Sequence, residues 1–231
     1  MKRMPVFILA GGYGTRMQPY SQIIPKCLLP VAGKPCVRWI VERFLSQGFN
    51  NITICINEWM VDQFEFAFRD LNIKFSITPH PVGTLNELRN ALSKYNKKIQ
   101  KFFLQYGDDL TQVDYLRVVK YHENKKSDVT LVTTKNVNLE FGIVKVDKEN
   151  KVIEFMEKPK VNKPIWTSVS IFDEKAIECF NSCEGNDIAS DLFPYLIRKG
   201  LKVYSYEISS PWVDIGNIFH YIKANELMKE K

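Results

Sequence analysis

The sequence predicts an α/β fold, with a mixed, mainly parallel sheet and helices on both of its faces. Three observations support this prediction. Short apolar runs alternate with amphipathic helical patterns through about the first 135 residues, a pattern typical of β-α-β units with right-handed crossovers. The first run, residues 6–10, is apolar throughout, as in a strand buried on both faces. After about residue 135, closely spaced strands with a short turn predict a partly antiparallel portion.

Hydrophobic spacing places the elements of the first half. The first helix is predicted between Pro35 and Gly48, since proline favours the first helical turn and glycine the end of a helix. Its apolar residues recur every three or four positions, at Val37, Ile40, Val41, Phe44 and Leu45. Later helical patterns are carried by Met60, Phe64 and Phe68, by Leu85, Leu88, Leu92 and Tyr95, and by residues 114–125. Strands are predicted over 6–10, 52–56, 73–78, 101–106 and 128–134.

The second half is predicted to begin with a hairpin over 141–146 and 151–156, turning at Lys148-Glu149-Asn150. A strand over 165–172 follows. Helices are then expected over 187–199, closed by Gly200, and over 217–229. No internal repeat or linker interrupts the chain, so residues 1–231 are expected to form one domain with no second catalytic domain attached.

Composition excludes several classes of protein. The five cysteines form no CxxC pair and there are only three histidines, which disfavours a zinc site and predicts reduced thiols in a cytoplasmic protein. The first apolar run is too short for a signal peptide, and no run approaches the 18 apolar residues of a membrane span. The net charge of +6 suits an anionic small molecule. Scattered basic pairs such as Lys97-Lys98 and Lys125-Lys126 are interpreted as solvated faces, so no nucleic acid is expected as a partner.

The strongest feature is the glycine-rich loop after the first strand, which reads Leu9-Ala10-Gly11-Gly12-Tyr13-Gly14-Thr15-Arg16. Glycines at the carboxyl end of a parallel strand let backbone N–H groups approach a phosphate closely. The alternative is a tight structural turn. The loop does not fit the dinucleotide pattern G-x-G-x-x-G, because Met17 stands at its last position, and it lacks the P-loop G-K-[ST] ending.

Two cations accompany this loop. Arg16 can grip phosphate oxygens with two donors, and Lys26 adds a point charge. Pro25 and Pro30 flank Lys26 and stiffen its backbone. Cations presented to a phosphate chain suit the stabilisation of a phosphoryl-transfer transition state. Arg16 and Lys26 are therefore the candidate catalytic residues.

The stretch from Gly11 to Pro35 resembles the nucleotidylyltransferases that make nucleotide sugars from sugar 1-phosphates, such as the glucose-1-phosphate thymidylyl-, uridylyl- and cytidylyltransferases and the mannose-1-phosphate guanylyltransferases. Their signature is G-G-x-G-T-R, then P-K-x-L-x-P-V and G-K-P. It is matched at Gly11-Gly12, Gly14-Thr15-Arg16, Pro19, Pro25-Lys26, Leu28, Pro30-Val31 and Gly33-Lys34-Pro35. Further matches, in family order, are Pro81-Val82-Gly83-Thr84, Gly107-Asp108, Phe141-Gly142, Glu157-Lys158-Pro159 and Trp212-x-Asp214-Ile215-Gly216.

The resemblance implies a three-layer Rossmann-like fold of the glycosyltransferase-A type, with a nucleotide-binding half at about 1–135 and an acceptor-binding half at about 136–231. It also implies roles for individual residues. The nucleotide would be bound by Leu9, Ala10, Gly11, Gly12, Gly14, Thr15, Thr78, Gly83 and Thr84, with Arg16 and Lys26 on its phosphates. The phosphorylated acceptor would be bound by Gly142, Glu157, Lys158 and Ser168. Mg²⁺ would be held by Asp108 and Asp214, with Asp109 an alternative to Asp108 that the sequence leaves open.

The reaction implied is in-line attack of a sugar 1-phosphate oxygen on the α-phosphorus of a nucleoside triphosphate, with release of pyrophosphate. Two departures from the family affect substrate identity. Ser168 and Ser170 stand where members carry Asn-x-Gly, and Thr78 or His80 stands where a base-reading glutamine is common. The base and the acceptor therefore stay open, including a non-sugar acceptor such as phosphocholine. A non-catalytic nucleotide-binding relative and a dinucleotide-dependent oxidoreductase are the alternatives. The oligomeric state, including a homo-oligomer, is also open.

Overall fold

The computed structural model describes residues 4–95 and 98–229. The strands are β1 (Val6–Leu9), β2 (Pro30–Val31), β3 (Lys34–Pro35), β4 (Ile52–Asn57), β5 (Lys74–Thr78), β6 (Lys101–Tyr106), β7 (Asp109–Thr111), β8 (Val129–Thr134), β9 (Ile143–Val146), β10 (Val152–Met156), β11 (Ile165–Asp173), β12 (Val203–Ile208) and β13 (Trp212–Asp214). The helices are α1 (Cys36–Ser46), α2 (Val61–Phe68), α3 (Thr84–Ser93), α4 (Tyr115–Lys125), α5 (Glu174–Glu178), α6 (Phe193–Arg198) and α7 (Ile218–Lys229).

Seven strands form the central sheet, in the spatial order β12-β8-β11-β6-β1-β4-β5. β1 pairs in parallel with β4 and β6, and the pairs β4–β5 and β8–β12 are also parallel. Only β11 runs antiparallel to its neighbours within this sheet, inserted between β6 and β8. The predicted mixed, mainly parallel sheet is confirmed, and strands from before and after residue 135 share it.

The sheet lies between two apolar layers, because alternate side chains of a strand point to opposite faces. In β1, Val6 and Ile8 join one core cluster, whereas Phe7 and Leu9 join the other. The first cluster receives α1, α2, α4 and α7, and the second receives α3, α5 and α6. The structure therefore has the three-layer arrangement expected from the sequence.

Most predicted elements are present, with ends that differ by one to a few residues. The helix predicted over 187–199 is wrong in one respect. Residues Ile188–Leu192 form a π-helical turn that runs directly into α6. Pro194 in the first turn of α6 lacks the N–H that an uninterrupted α-helix would bond to the turn before it, which accounts for the break.

Several short elements had no clear sequence signal, namely β2, β3, β7, β12, β13 and α5. Two of them matter for the site, because β7 and β13 pair with each other in antiparallel register, with Asp109 opposite Asp214. The five cysteines are free thiols, four of them buried. Lys97, from the basic pair singled out above, lies outside the described residues. In the described part of the chain, no helix is long and apolar enough to cross a membrane.

Candidate active site

The glycine-rich loop follows the carboxyl end of β1. The carboxyl ends of the parallel strands β4, β5 and β6 lie at the same end of the sheet. Gly14 has a φ of +64°, a conformation that favours glycine. A Cβ on Gly14 would lie 2.9 Å from the Cβ of Lys26, so the missing side chain also lets the Lys26 segment pack against the loop. Ser21 Oγ donates to the Gly14 carbonyl at 2.8 Å. The loop and Lys26 therefore form one packed unit.

Lys26 forms an ion pair with Asp108, and both side chains are about 15% exposed. Lys26 begins a short 3₁₀ helix between Pro25 and Leu29, and Asp108 follows the end of β6. The Asp108 carboxylate helps to raise the pKa of Lys26 against the opposing effect of burial. Two predicted site residues that are 82 positions apart in the chain thus meet beside the loop.

Arg16 lies near the segment that follows β13. Its guanidinium Nη2 is 3.4 Å from the position that a Cβ on Gly216 would take. Gly216 follows Asp214 by two residues, and the backbone N–H of Ile215 donates to the Asp108 carbonyl at 3.0 Å. Arg16, Asp108 and Asp214 are therefore brought to the same end of the sheet.

Asp109 differs from Asp108 although the two are neighbours in sequence. It lies in β7, is only 5% exposed, and accepts a hydrogen bond from Trp212 Nε1 at 3.0 Å. Burial, followed by the charge of Asp108, raises the pKa of Asp109 well above its usual value. Asp109 is thus a buried acid that joins β7 to β13, whereas Asp108 is the carboxylate that faces Lys26.

Asp214 contacts a residue that the sequence analysis missed. His220 Nδ1 lies 2.6 Å from Asp214 Oδ1, and His220 Nε2 lies 2.8 Å from Glu140 Oε1. The histidine lies in α7, shortly after the Trp212–Gly216 motif. Its closeness to Asp214 in the sequence was the only feature that could have predicted this contact. His220 holds the Asp214 carboxylate in place and links it to the segment that precedes β9.

A cavity of about 460 Å³ is lined by Lys158, Asp214, His220 and Glu140, among others. Lys158 has a φ of +45° and lines the same cavity as Asp214. Gly142 lies against Glu157, whose Oε2 is 3.0 Å from the position of a Cβ on Gly142. Three of the four predicted acceptor residues therefore cluster around the β9–β10 hairpin.

Ser168 is placed differently. It lies at a bulge in β11 with a φ of +59°, is 5% exposed, and donates to the Thr167 carbonyl at 2.6 Å. Its hydroxyl also lowers the pKa of the neighbouring Asp109 carboxyl. Ser168 does not line the cavity that Lys158 lines, so the structure does not bring it together with the other acceptor residues.

The predicted nucleotide residues on the far side of the loop are near the ends of β5 and α3. Thr78 Oγ1 donates to Asn57 Oδ1 at 3.2 Å, and Asn57 Nδ2 donates to the Gly11 carbonyl. Thr84 Oγ1 donates to Asp187 Oδ2 at 3.0 Å and accepts from the backbone N–H of Ile188 at 2.9 Å. The Thr84 hydroxyl is thus engaged in holding the π-helical turn.

Gly83 approaches the Asn186 backbone more closely than any other residue type would allow. Its φ is +91°, and a Cβ there would lie 2.5 Å from the Asn186 carbonyl oxygen. The next residue but one, Leu85, donates its N–H to the same carbonyl at 2.8 Å. The predicted glycine therefore has a packing role in this structure, which fixes the start of α3.

Comparison with known proteins assigns the family. A family model described as nucleotidyl transferase matches residues 6–231. The chain belongs to the nucleotidyl transferase family. It is 31% identical to the UTP–glucose-1-phosphate uridylyltransferase of Synechocystis sp., over 96% of this chain and 62% of that protein. It is 27% identical to the mannose-1-phosphate guanylyltransferase of Mycobacterium tuberculosis, over 94% of this chain and 62% of that protein. This nucleotidyl transferase chain therefore spans about three fifths of the length of these relatives.

Solved structures share the fold of this nucleotidyl transferase. HddC from Yersinia pseudotuberculosis superposes with a TM-score of 0.73 at 24% sequence identity, covering 97% of this chain and 99% of that one. The same protein has been solved in complex with GMP-PN, with a TM-score of 0.72. These likenesses establish the three-layer fold and leave the residue roles to the geometry described above.

The carboxylates of the candidate site suit a hard cation whose coordination is shared between the protein and bound phosphates. They do not form a complete set of protein ligands by themselves. Asp108 and Asp214 carry carboxylate oxygens, the type of ligand that Mg²⁺ prefers, and Mg²⁺ is commonly held by one or two carboxylates together with substrate phosphates. Within residues 4–95 and 98–229, no group of three or more His, Cys, Asp or Glu side chains forms a ready metal site. Bound phosphate oxygens would therefore have to complete the coordination.

Glu87 on α3 is a further residue that sequence reasoning missed. It is 5% exposed, and burial raises its pKa from the usual 4.5 to about 7, with a smaller opposite effect from the Gly11 backbone. Its Oε1 lies 2.5 Å from the position that a Cβ on Gly11 would take. The carboxyl thus occupies the space beside the glycine-rich loop that a side chain at position 11 would fill.

This buried acid makes stability depend on pH. Between pH 4.5 and 7 the folded protein keeps a proton on Glu87 that the unfolded chain releases, so the free energy of unfolding falls as the pH rises through that window. A shift from 4.5 to about 7 corresponds to about 3 kcal/mol. We expect Glu87→Gln to be more stable than the parent protein at pH 8 but close to it at pH 4.5, as measured by urea unfolding. An equal difference at both pH values would contradict the assignment.

Proposed function

We propose that the protein transfers a nucleoside monophosphate from a nucleoside triphosphate to a sugar 1-phosphate, giving a nucleotide sugar and pyrophosphate. The observation that carries the proposal is the meeting of Lys26 and Asp108 beside the glycine-rich loop, together with Asp214 and Lys158 around one cavity. Groups suited to a triphosphate thus adjoin groups suited to a phosphorylated acceptor, as an in-line displacement requires.

The cationic and the acidic residues of the site have separate roles in this proposal. Arg16 and Lys26 bind the triphosphate and offset the negative charge that the transition state spreads over its phosphate oxygens. Lys158 binds the phosphate of the acceptor. Asp108 and Asp214 hold Mg²⁺, which supplies Lewis-acid polarisation of the phosphates when bound. The acceptor phosphate is already ionised at neutral pH, so the reaction needs no general base.

A substrate matrix tests this function. Five nucleoside triphosphates are combined with several sugar 1-phosphates and with phosphocholine, each with Mg²⁺, and pyrophosphate release is measured. We expect release with at least one triphosphate only when a sugar 1-phosphate is present. Release with phosphocholine and with no sugar 1-phosphate would reassign the acceptor. Phosphocholine is included because Ser168 and Ser170 replace the Asn-x-Gly of other family members. Tight nucleotide binding without turnover would instead support a non-catalytic relative.

A further inference from the structure

The β9–β10 hairpin stands apart from the central sheet. Within the described part of the chain, its two strands pair with each other and not with the seven-stranded sheet. All nine residues of the two strands are exposed, and seven of the nine are apolar. A two-stranded hairpin with no further cover is only marginally stable in water. A hairpin of this composition is therefore stabilised when another surface covers its apolar side chains.

One face of the hairpin is apolar throughout. It consists of two cross-strand pairs, because residues directly opposite each other in an antiparallel pair project to the same side. The opposite face carries a pair of opposite charges, Lys145 and Glu154. The exposed fractions of the four apolar residues run from 46% to 64%. This apolar hairpin face is formed by Val144 opposite Phe155 and by Val146 opposite Val152.

The size of the apolar hairpin face suits a contact between two proteins. It exposes on the order of 400 Å² of surface, within the range of the apolar patches that mark interaction sites. Two such faces in contact, with polar side chains at their rim, would bury about 1,000 Å² in total, the size at which specific interfaces begin. The face is therefore large enough to hold a second copy of itself in a small, reversible interface.

The charge of the hairpin is balanced as well. Residues 141–156 contain three lysines and three acidic residues, so the net charge of +6 is carried by the rest of the chain. A hairpin without net charge does not attract a polyanion or an anionic membrane, and it does not repel a second copy. Identical faces can then meet about a two-fold axis, the commonest symmetry of soluble oligomers.

We propose that the apolar hairpin face is the docking surface for a second copy of this chain, so that two copies form a dimer about a two-fold axis. Phe155 is the most exposed of the four side chains of the face, and aromatic side chains commonly contribute most to the stability of an interface. Val144 lies directly opposite it in the register. These two positions are therefore the ones at which a charge should prevent association.

Sedimentation velocity tests the proposal at protein concentrations from about 1 to 200 µM, because small interfaces commonly have micromolar dissociation constants. The parent protein is compared with Val144→Glu/Phe155→Glu and with the control Phe66→Glu/Ile197→Glu. Phe66 and Ile197 are similarly exposed, at 70% and 58%, but lie on α2 and α6. Circular dichroism and the melting temperature check that each variant is folded.

A milder variant tests the same face if the glutamates disturb the hairpin itself. Val144→Thr/Val152→Thr retains β-branched side chains, which suit a strand. It replaces two methyl groups of the face in each copy with hydroxyl groups, which lose favourable burial in a dimer. We expect this variant to keep its fold and to raise the dissociation constant of the dimer by roughly 10-fold or more.

We expect the parent protein and the control to sediment as dimers at the higher concentrations, and Val144→Glu/Phe155→Glu to be monomeric throughout. A parent protein that is monomeric at the highest concentration would overturn the proposal, whatever else covers the hairpin. The proposal also fails if the folded glutamate variant remains a dimer, or if the threonine variant has an unchanged dissociation constant. None of these measurements involves a nucleotide or an acceptor, so their outcome is independent of the proposed function.

Discussion

Replacing Lys26 with methionine is expected to lower pyrophosphate release by at least two orders of magnitude and to destabilise the fold as well. Comparable cations in other phosphoryl-transfer enzymes contribute about 10³- to 10⁵-fold to the rate. Lys26 also pairs with Asp108 in a largely buried setting, so its loss leaves a carboxylate without its partner, at a cost of about 1–3 kcal/mol. Turnover numbers and urea unfolding measure the two effects.

The double variant Lys26→Met/Asp108→Asn separates them. It should recover much of the stability, because both charges are removed together, while activity stays lost. Arg16→Ala should lose activity to a similar extent without the loss of stability, since Arg16 is exposed. Arg117→Ala, at an exposed position on α4, serves as the matched control. Near-parental turnover in Lys26→Met or Arg16→Ala would refute the catalytic assignment of that residue.

Replacing Asp214 with asparagine is the second change with a large expected effect. If Asp214 is one of two carboxylates that hold Mg²⁺, its neutralisation should lower turnover by about two orders of magnitude or more, since metal stabilisation of transition-state charge is worth several kcal/mol. The Mg²⁺ concentration for half-maximal activity should rise. Calorimetric titration of Mg²⁺ in the presence of nucleotide should show the same weakening in binding.

Asp109, which lies opposite Asp214 in the β7–β13 pair, provides a matched comparison for the Mg²⁺ dependence of Asp214→Asn. Asp109→Asn keeps an acceptor for Trp212 Nε1 and removes a carboxyl whose pKa is already raised by burial. We therefore expect Asp109→Asn to retain an unchanged Mg²⁺ dependence, with its main effect on stability. The exposed Asp62→Asn on α2 controls for a general loss of charge. A stronger Mg²⁺ defect in Asp109→Asn than in Asp214→Asn would reverse the two assignments.

The local pattern predicted the parts of the fold that depend on nearby residues. The buried strand β1, the helices α1 and α4 and the glycine-rich loop all follow from spacing over a few residues. The antiparallel insertion of β11 between β6 and β8 could not be predicted in this way, because strand order depends on pairing between distant segments. The pairing of β7 with β13 was missed for the same reason, since each strand is only three residues long.

By itself, the sequence determined the α/β class and the position of the loop, and it predicted Arg16, Lys26, Asp108, Lys158 and Asp214 as residues of the site. Only the tertiary structure decided that Asp108 faces Lys26 while Asp109 is buried, and that Glu87 lies beside Gly11. The physical reason is that the direction and burial of a side chain depend on the elements that pack around it. The sequence alone does not distinguish two adjacent aspartates. A glutamate on a helix is expected to be solvated until the residues that pack around it are known.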